Sequence, residues 1–294
     1  MPFRAVITDL DGTLLDAHHN ISAYTFETLQ LLKEKGIPLI FATGRPFPDV
    51  LHTIDACGLQ GGYIITSNGA RIHDPERRIV VSHDLDPAVV KELVQLTLDG
   101  DDDDDDNNNV SEDGTTKDAD AKKKSPPAFS TNMYRHDEWV TNYGVERMLA
   151  AYARSGFSYK VVEELHTYPS DGVHEVFYVG PHEKLIKLEN VLQRRFEGCG
   201  EHSFSLPTIV DFVPPGVHKG SAMAHVASLL NIDVADIIAF GDGMNDYKML
   251  AAAGKGCVMQ NGQQRLKEAL PHLEIIGSNT EDAVAKKLRE VFEL

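Results

Sequence analysis

The stretch Phe3–Leu15, FRAVITDLDGTLL, decides the fold. Its first six residues form a short apolar run rich in β-branched side chains, which reads as a buried strand. Asp9 and Asp11 follow at once, and Gly12 permits a sharp exit. In extended backbone, side chains two apart point the same way. Both aspartates can therefore face one site at the carboxyl end of the strand, where open α/β sheets place ligands. Two adjacent carboxylates repel unless one is protonated or a cation lies between them. A hard ion such as Mg2+ meets that need. The same residues also suit a plain strand exit with solvated acids. They do not make an EF-hand loop, because Gly12 falls fourth from Asp9 and the twelfth position is Asn20.

Outward from this stretch, strands and helices alternate. Ser22 to Lys35 has apolar residues near helical spacing, Gly36 sits where a helix ends, and Ile37 to Ala42 reads as a second buried strand. Asp49 to Cys57 reads as a helix and Gly62 to Thr66 as a third strand. The alternation returns near the end of the chain. Strands are expected at Asp236 to Phe240 and Lys255 to Met259, with helices at 221–230, 247–253, 262–269 and 282–292. Short connections between such elements imply an α/β fold with a Rossmann-like parallel sheet covered on both faces.

The middle of the chain differs. Helices are expected at 87–98, 145–154 and 181–196, and strands at 129–134, 138–142, 174–179, 203–206 and 209–213. This reads as an α+β domain inserted into the first, with boundaries near Asp84 and Pro215. Within it, 100–127 carries DGDDDDDDNNN and KKKSPP, and is expected to be a disordered acidic insertion.

Three further turns carry chemistry. Gly241-Asp242-Gly243-Met244-Asn245-Asp246 follows a predicted strand. Asp242 is a candidate metal ligand, Asp246 a candidate support behind it, and Asn245 a candidate donor to a phosphate oxygen. A plain helix-capping turn would use the same residue types. Thr43-Gly44 can grip phosphate with a hydroxyl and a backbone N–H, although such dipeptides also make ordinary turns. Lys219 precedes a helix and is the best-placed cation to face a phosphate among carboxylates, though a lone lysine is usually solvated.

The net charge is −17, of which the segment from Asp99 to Lys124 contributes −7; the remaining acidic body does not suit nucleic-acid binding. Three cysteines, Cys57, Cys199 and Cys257, neither pair closely nor form a zinc pattern, which fits a reducing compartment. The first residues are too short and too charged for a signal peptide, and no run approaches the length of a membrane span. A cytoplasmic protein is expected, monomeric or a small homo-oligomer, with no nucleic-acid or membrane partner.

In order, DLDGTLLD at 9–16, TGR at 43–45, SNGA at 67–70, HKG at 218–220 and GDGMND at 241–246 resemble the haloacid dehalogenase superfamily, and within it the Cof-type phosphatases. Ile65–Asp74, Met133–Trp139 and Ala239–Met259 look especially like bacterial members described as pyridoxal phosphate and sugar phosphatases. The resemblance runs from Phe3 to the last helix, the acidic insertion excepted. It implies that Asp9 is a nucleophile and metal ligand. Asp11 would be general acid and base, with its carbonyl on the metal. Leu10, Thr43, Gly44, Lys219 and Asn245 would hold phosphate, and Asp242, supported by Asp246, would ligate Mg2+. Thr43 stands where some relatives have Ser. The position of the inserted domain resembles the large C2 caps. Arg45, Asn68, Tyr134, Arg135, Trp139 and His174 are candidates for substrate contact, though Tyr134 and Trp139 equally suit hydrophobic packing.

The expected function is hydrolysis of a small phosphate ester, such as a sugar phosphate or pyridoxal 5′-phosphate, through an aspartyl phosphate. A phosphotransferase or mutase would use the same intermediate. A non-catalytic interaction protein using the acidic tract is the third reading.

Overall fold

The computed structural model describes residues 3–98, 127–144 and 146–294; the acidic insertion expected at 100–127 lies outside the described residues, Pro127 excepted. The first part of the chain forms β1 (Ala5–Thr8), α1 (Ala23–Glu34), β2 (Leu39–Ala42), α2 (Phe47–Ala56), β3 (Tyr63–Thr66), β4 (Arg71–His73) and β5 (Ile79–Ser82). The middle forms α3 (Pro87–Leu93), β6 (Ser130–Arg135), β7 (Glu138–Thr141), α4 (Glu146–Tyr152), β8 (Tyr159–Val161), β9 (Val173–Val179), α5 (His182–Arg195), β10 (Glu201–Leu206) and β11 (Ile209–Val213). The last part forms α6 (Lys219–Leu229), β12 (Ile237–Gly241), α7 (Tyr247–Ala252), β13 (Lys255–Met259), α8 (Gln264–Ala269), β14 (Glu274–Ile276) and α9 (Ala283–Phe292).

Among the described residues these strands make two sheets. One has the order β14-β13-β12-β1-β2-β3-β4-β5, the other β10-β11-β9-β6-β7-β8. In the first, β14 through β3 run parallel, and β4 and β5 are antiparallel additions. The sequence reading expected no strand at β4, β5, β8 or β14. Each has only three or four residues, too few for a periodic pattern, and neighbouring strands hold them. Short connections such as Ser67–Gly69 can only turn a strand back on itself, so β4 pairs antiparallel with β3. Helix α3 ends at Leu93 rather than at 98.

Both faces of the first sheet are covered, as near-continuous apolar strands require. Val6 points toward α1, α2 and α9 and packs with Leu29, Ile54 and Phe292. Its neighbours Ala5 and Ile7 point the other way, toward Met223 and Val226 of α6 and Leu250 of α7. The second sheet has its own core, where Val176, Tyr178 and Phe212 meet Leu185, Leu188 and Leu192 of α5. Among the described residues, no helix is long and apolar enough to cross a membrane.

Local signals set where helices begin and end. The Ser22 hydroxyl accepts from the Thr25 N–H to start α1, and Gly36, at φ +70°, follows its last turn. His218 and Ser221 cap each other at the start of α6, which puts Lys219 on its first turn. Gly12 is required twice over. Its φ is +75°, and a Cβ there would lie 2.6 Å from Asp242 Oδ2. Gly36 shares the positive φ but has open space around it. In urea unfolding, Gly36→Ala should therefore lose about 1–2 kcal/mol from backbone strain alone, and Gly12→Ala should lose more, since Asp242 must also move.

Candidate active site

The central strands β1 and β12 end side by side, because the Asp9 N–H continues the ladder to Phe240 O at 3.0 Å. This brings the two acidic turns together at the carboxyl end of the sheet. From α6, fully buried Lys219 reaches between them, and its Nζ donates to Asp9 Oδ1 at 2.6 Å and Asp246 Oδ1 at 2.7 Å. Asp246 uses its other oxygen to accept from the N–H groups of Asp242 and Gly243, both at 2.9 Å. Thr13 donates to Asp242 Oδ1 at 2.9 Å. Gly241 is needed here too, since a Cβ would lie 2.6 Å from the Asp246 side chain.

Carboxylate oxygens of Asp9, Asp242 and Asp246 all lie within 4.8 Å of one another, a set able to hold a metal ion. Burial raises the Asp9 carboxyl well above its ordinary range; Lys219 opposes this, while Asp246, Asp242 and Asp11 reinforce it. Burial, then Asp246, push Asp242 up to about 7. Burial alone would lower the Lys219 ammonium, but Asp246 and Asp9 hold it above its usual value. One lysine thus leaves the carboxylates under-neutralised. Asp9 Oδ2 and Asp242 Oδ2 have no hydrogen-bond partner among the described residues, whereas both Asp246 oxygens are engaged. The donor chemistry fits an oxygen-seeking cation on Asp9 and Asp242, with Asp246 orienting the turn.

Asp11 is held differently. Arg45 grips both its oxygens, with Nε to Oδ2 at 2.6 Å and Nη2 to Oδ1, and His19 Nδ1 lies 2.9 Å from Oδ1. Burial alone would raise the Asp11 carboxyl, but Arg45 and then His19 lower it to about 2. Arg45 also donates to Asp49 Oδ2 at 3.1 Å, and Ser155 of the inserted domain donates to Asp49 Oδ1. His19, Asp49 and Ser155 were invisible to sequence reasoning, because nothing local marks them as partners of Asp11.

Thr43 Oγ1 accepts from the Arg45 N–H at 3.1 Å. Beside it Asn68, at φ +53°, accepts from Asn245 Nδ2 at 2.9 Å and donates to Glu175 Oε1 of β9 at 2.8 Å. A Cβ on Gly44 would come 3.3 Å from this amide. Leu10 is a fully buried core side chain, so only its backbone can face the site.

Between the two sheets lies a cavity of about 690 Å3. Its lining includes Asp9, Asp11, Thr43, Gly44, Arg45, Asp242 and Asn245 below, and Tyr134, Phe177 and Asp211 above. Of the expected contact residues in the inserted domain, only Tyr134 lines it. Arg135 turns away to Asp171 at 2.8 Å. Trp139 is buried in an aromatic cluster and donates to Asn132 at 3.0 Å. His174 is buried against Ser67, 3.1 Å away, and burial lowers it to about 3. Asn68 and Lys219 instead face a second cavity of about 440 Å3, which Asn245 also lines.

A family described as haloacid dehalogenase-like hydrolases matches residues 6–288. The chain belongs to that family. This haloacid dehalogenase-like hydrolase is 36% identical over 295 residues to a Haemophilus influenzae protein named provisionally as a phosphatase, covering 100% of this chain and 98% of that one. It is 34% identical over 288 residues to the HMP-PP phosphatase of Serratia proteamaculans, covering 98% and 94%. A solved haloacid dehalogenase-like hydrolase from Bacteroides thetaiotaomicron superposes with TM-score 0.73 at 25% identity, over 99% of this chain and 100% of that one.

The raised Asp9 and Asp242 carboxyls make a test of the hydrolase's cation site. Protons compete with a cation for these groups, so divalent affinity should fall as pH drops through about 7. Binding near that pH should release protons. Calorimetry with Mg2+ in two buffers of different protonation enthalpy measures both effects; an affinity flat from pH 6 to 8 contradicts the assignment.

Proposed function

We propose that this hydrolase is a Mg2+-dependent phosphatase of small metabolites, with Asp9 as nucleophile. The carrying observation is the floor of the cavity. Asp9 is fixed through one oxygen by a buried lysine, keeps the other free, and lies among carboxylates suited to a cation. The two relatives named as phosphatases support the same reading. In this reading 1–84 and 216–294 form the catalytic core and 85–215 the cap. A cavity of about 690 Å3 accommodates a small ester, such as a sugar phosphate or pyridoxal 5′-phosphate.

The chain's own groups divide the work as follows. Asp9 attacks phosphorus, a P–O bond to Asp9 forms, and the bond to the leaving alkoxide breaks. Lys219 favours the ionised form of Asp9 against its burial and aims it. Thr43, the Gly44 N–H, the backbone at Leu10 and Asn245 hold the phosphate oxygens. Asp242 and Asp9, with the Asp11 carbonyl, would hold Mg2+, which when bound supplies positive charge to the phosphate oxygens. Asp11 gives a proton to the alkoxide, then takes one from the water that cleaves the aspartyl phosphate. At a pKa of about 2, Asp11 is too strong an acid to carry that proton at neutral pH. It must leave the grip of Arg45 when substrate binds, after which its pKa rises.

Asp9→Asn should abolish turnover of every ester while the protein still folds. Asp11→Asn should cost about 10²–10⁴ in kcat for an alkyl phosphate. The cost should be smaller for the first half-reaction of p-nitrophenyl phosphate, whose leaving group needs no proton. Stopped-flow release of nitrophenol and mass spectrometry of the trapped phosphoenzyme read these effects; full activity in Asp9→Asn would sink the mechanism.

A further inference from the structure

Strands β9 and β11 are buried apolar runs, yet each carries one carboxylate: Glu175 in VHEVFYV and Asp211 in IVDFV. Their register puts both on one face of the cap sheet. Asp211 pairs with Phe177, Ile209 with Val179, and Tyr134 with Glu175. Alternation along each strand then aligns Tyr134, Glu175, Phe177, Val179, Ile209 and Asp211. Five of these six line the roof of the cavity whose floor holds Asp9 and Asp242, and Glu175 alone does not.

The polar pair within this roof is incompletely satisfied. Glu175 is fully buried and Asp211 is 6% exposed. Glu175 Oε2 and Asp211 Oδ2 are buried without a donor from any other group among the described residues, and the two carboxyls lie close enough to share one proton. Burial, reinforced by Asp211, pushes the Glu175 carboxyl well up. Burial raises Asp211 to about 6 against the pull of Ser205, Lys219 and Asn68. The nearby cations are committed elsewhere, Lys219 to Asp9 and Asp246, Arg45 to Asp11 and Asp49. Leaving buried acceptors unsatisfied is costly. The rest of this roof is aromatic and aliphatic, so packing alone would favour an apolar residue at 211.

We infer that Asp211, positioned by Glu175, selects the organic part of the substrate by accepting a hydrogen bond from a hydroxyl or amine carried on a compact apolar body. The inference rests on the phosphatase reading and adds its recognition element. The phosphate is anchored at the floor, and the donor group meets the Asp211 carboxylate at the roof. Tyr134 and Phe177 flank the body between them. Glu175 is bonded to Asn68 and lies within hydrogen-bond reach of Asp211, so it ties the Asp211 carboxyl to the core loop that also bonds Asn245.

Three matched probes test this: benzyl phosphate, 4-(hydroxymethyl)benzyl phosphate and 4-(aminomethyl)benzyl phosphate. The wild type should favour at least one donor-bearing ester over benzyl phosphate in kcat/KM. Asp211→Ala should remove about tenfold to a hundredfold of that preference, over and above any change with benzyl phosphate. Asp211→Asn keeps the volume and part of the acceptor while losing the charge. It should cost the amine ester more than the hydroxyl ester if the amine is the true donor, and equally if the hydroxyl is. Glu175→Gln should raise KM for the favoured ester more than it lowers kcat, as a positioning residue would. A wild type without preference, or variants that scale all three esters equally, would overturn the inference. Absence of any phosphate release by the wild type would instead strike at the phosphatase reading.

Discussion

Everything at the site depends on one buried ammonium. Lys219 is taken wholly out of water, and such a charge is tolerable only when paired and hydrogen-bonded. Its two partners come from opposite ends of the chain, Asp9 after β1 and Asp246 after β12. The lysine therefore joins the two halves of the core where their strands end. Because Asp246 also receives two backbone N–H groups, the same contact fixes the turn that presents Asp242. Removing the ammonium would leave two buried carboxylates repelling each other beside a third.

A second electrostatic system surrounds Asp11. Arg45 lies between Asp11 and Asp49, and Asp49 in turn receives the Ser155 hydroxyl from the cap. The bidentate grip accounts for the low pKa of Asp11, since a guanidinium matches a carboxylate at both oxygens. The state of the acid is thereby coupled to where the cap sits. Asn68 makes the corresponding link on the other side, joining Asn245 of the core to Glu175 of the cap. These two links between the domains thus involve loops that touch the site, while Lys248–Glu201 and Arg265–Glu189 join the domains elsewhere, and Met244 packs against both the cap core and one face of the first sheet.

The cap's aromatic residues divide into structure and surface. Trp139 packs edge-on against Tyr152 and Tyr159 and spends its only donor on Asn132. Tyr134 packs against Phe177 with ring centroids 4.7 Å apart, and both line the cavity. Sequence composition alone does not separate these roles, since Tyr134, Trp139, Tyr159 and Phe177 are all large rings in short strands. Tyr134 and Trp139 face each other on the same side of the cap sheet; what separates them is the strand order, which sets Tyr134 on β6 beside β9 and its cavity-lining Phe177, and Trp139 on β7 beside β8.

Much of this protein was legible before folding. The strand leading into Asp9, the cap at Ser22 and the glycine at Gly36 are local signals, acting within a few residues. The order of the acidic turns told where the core is interrupted. What remained illegible was everything carried by contacts between distant residues. Arg45 stands out in the sequence only as a candidate for substrate contact, and it is the pairing of β2 beside β1 that makes it the partner of Asp11. Asp211 and Glu175 look like isolated acids in apolar strands; a register between β9 and β11 turns them into a pair. The three-residue strands β4, β8 and β14 have too few residues to show a period and exist because a neighbour supplies their hydrogen bonds. Local backbone preferences and side-chain periodicity are written in consecutive residues, whereas buried charge pairing depends on which segments the closed sheets bring into contact.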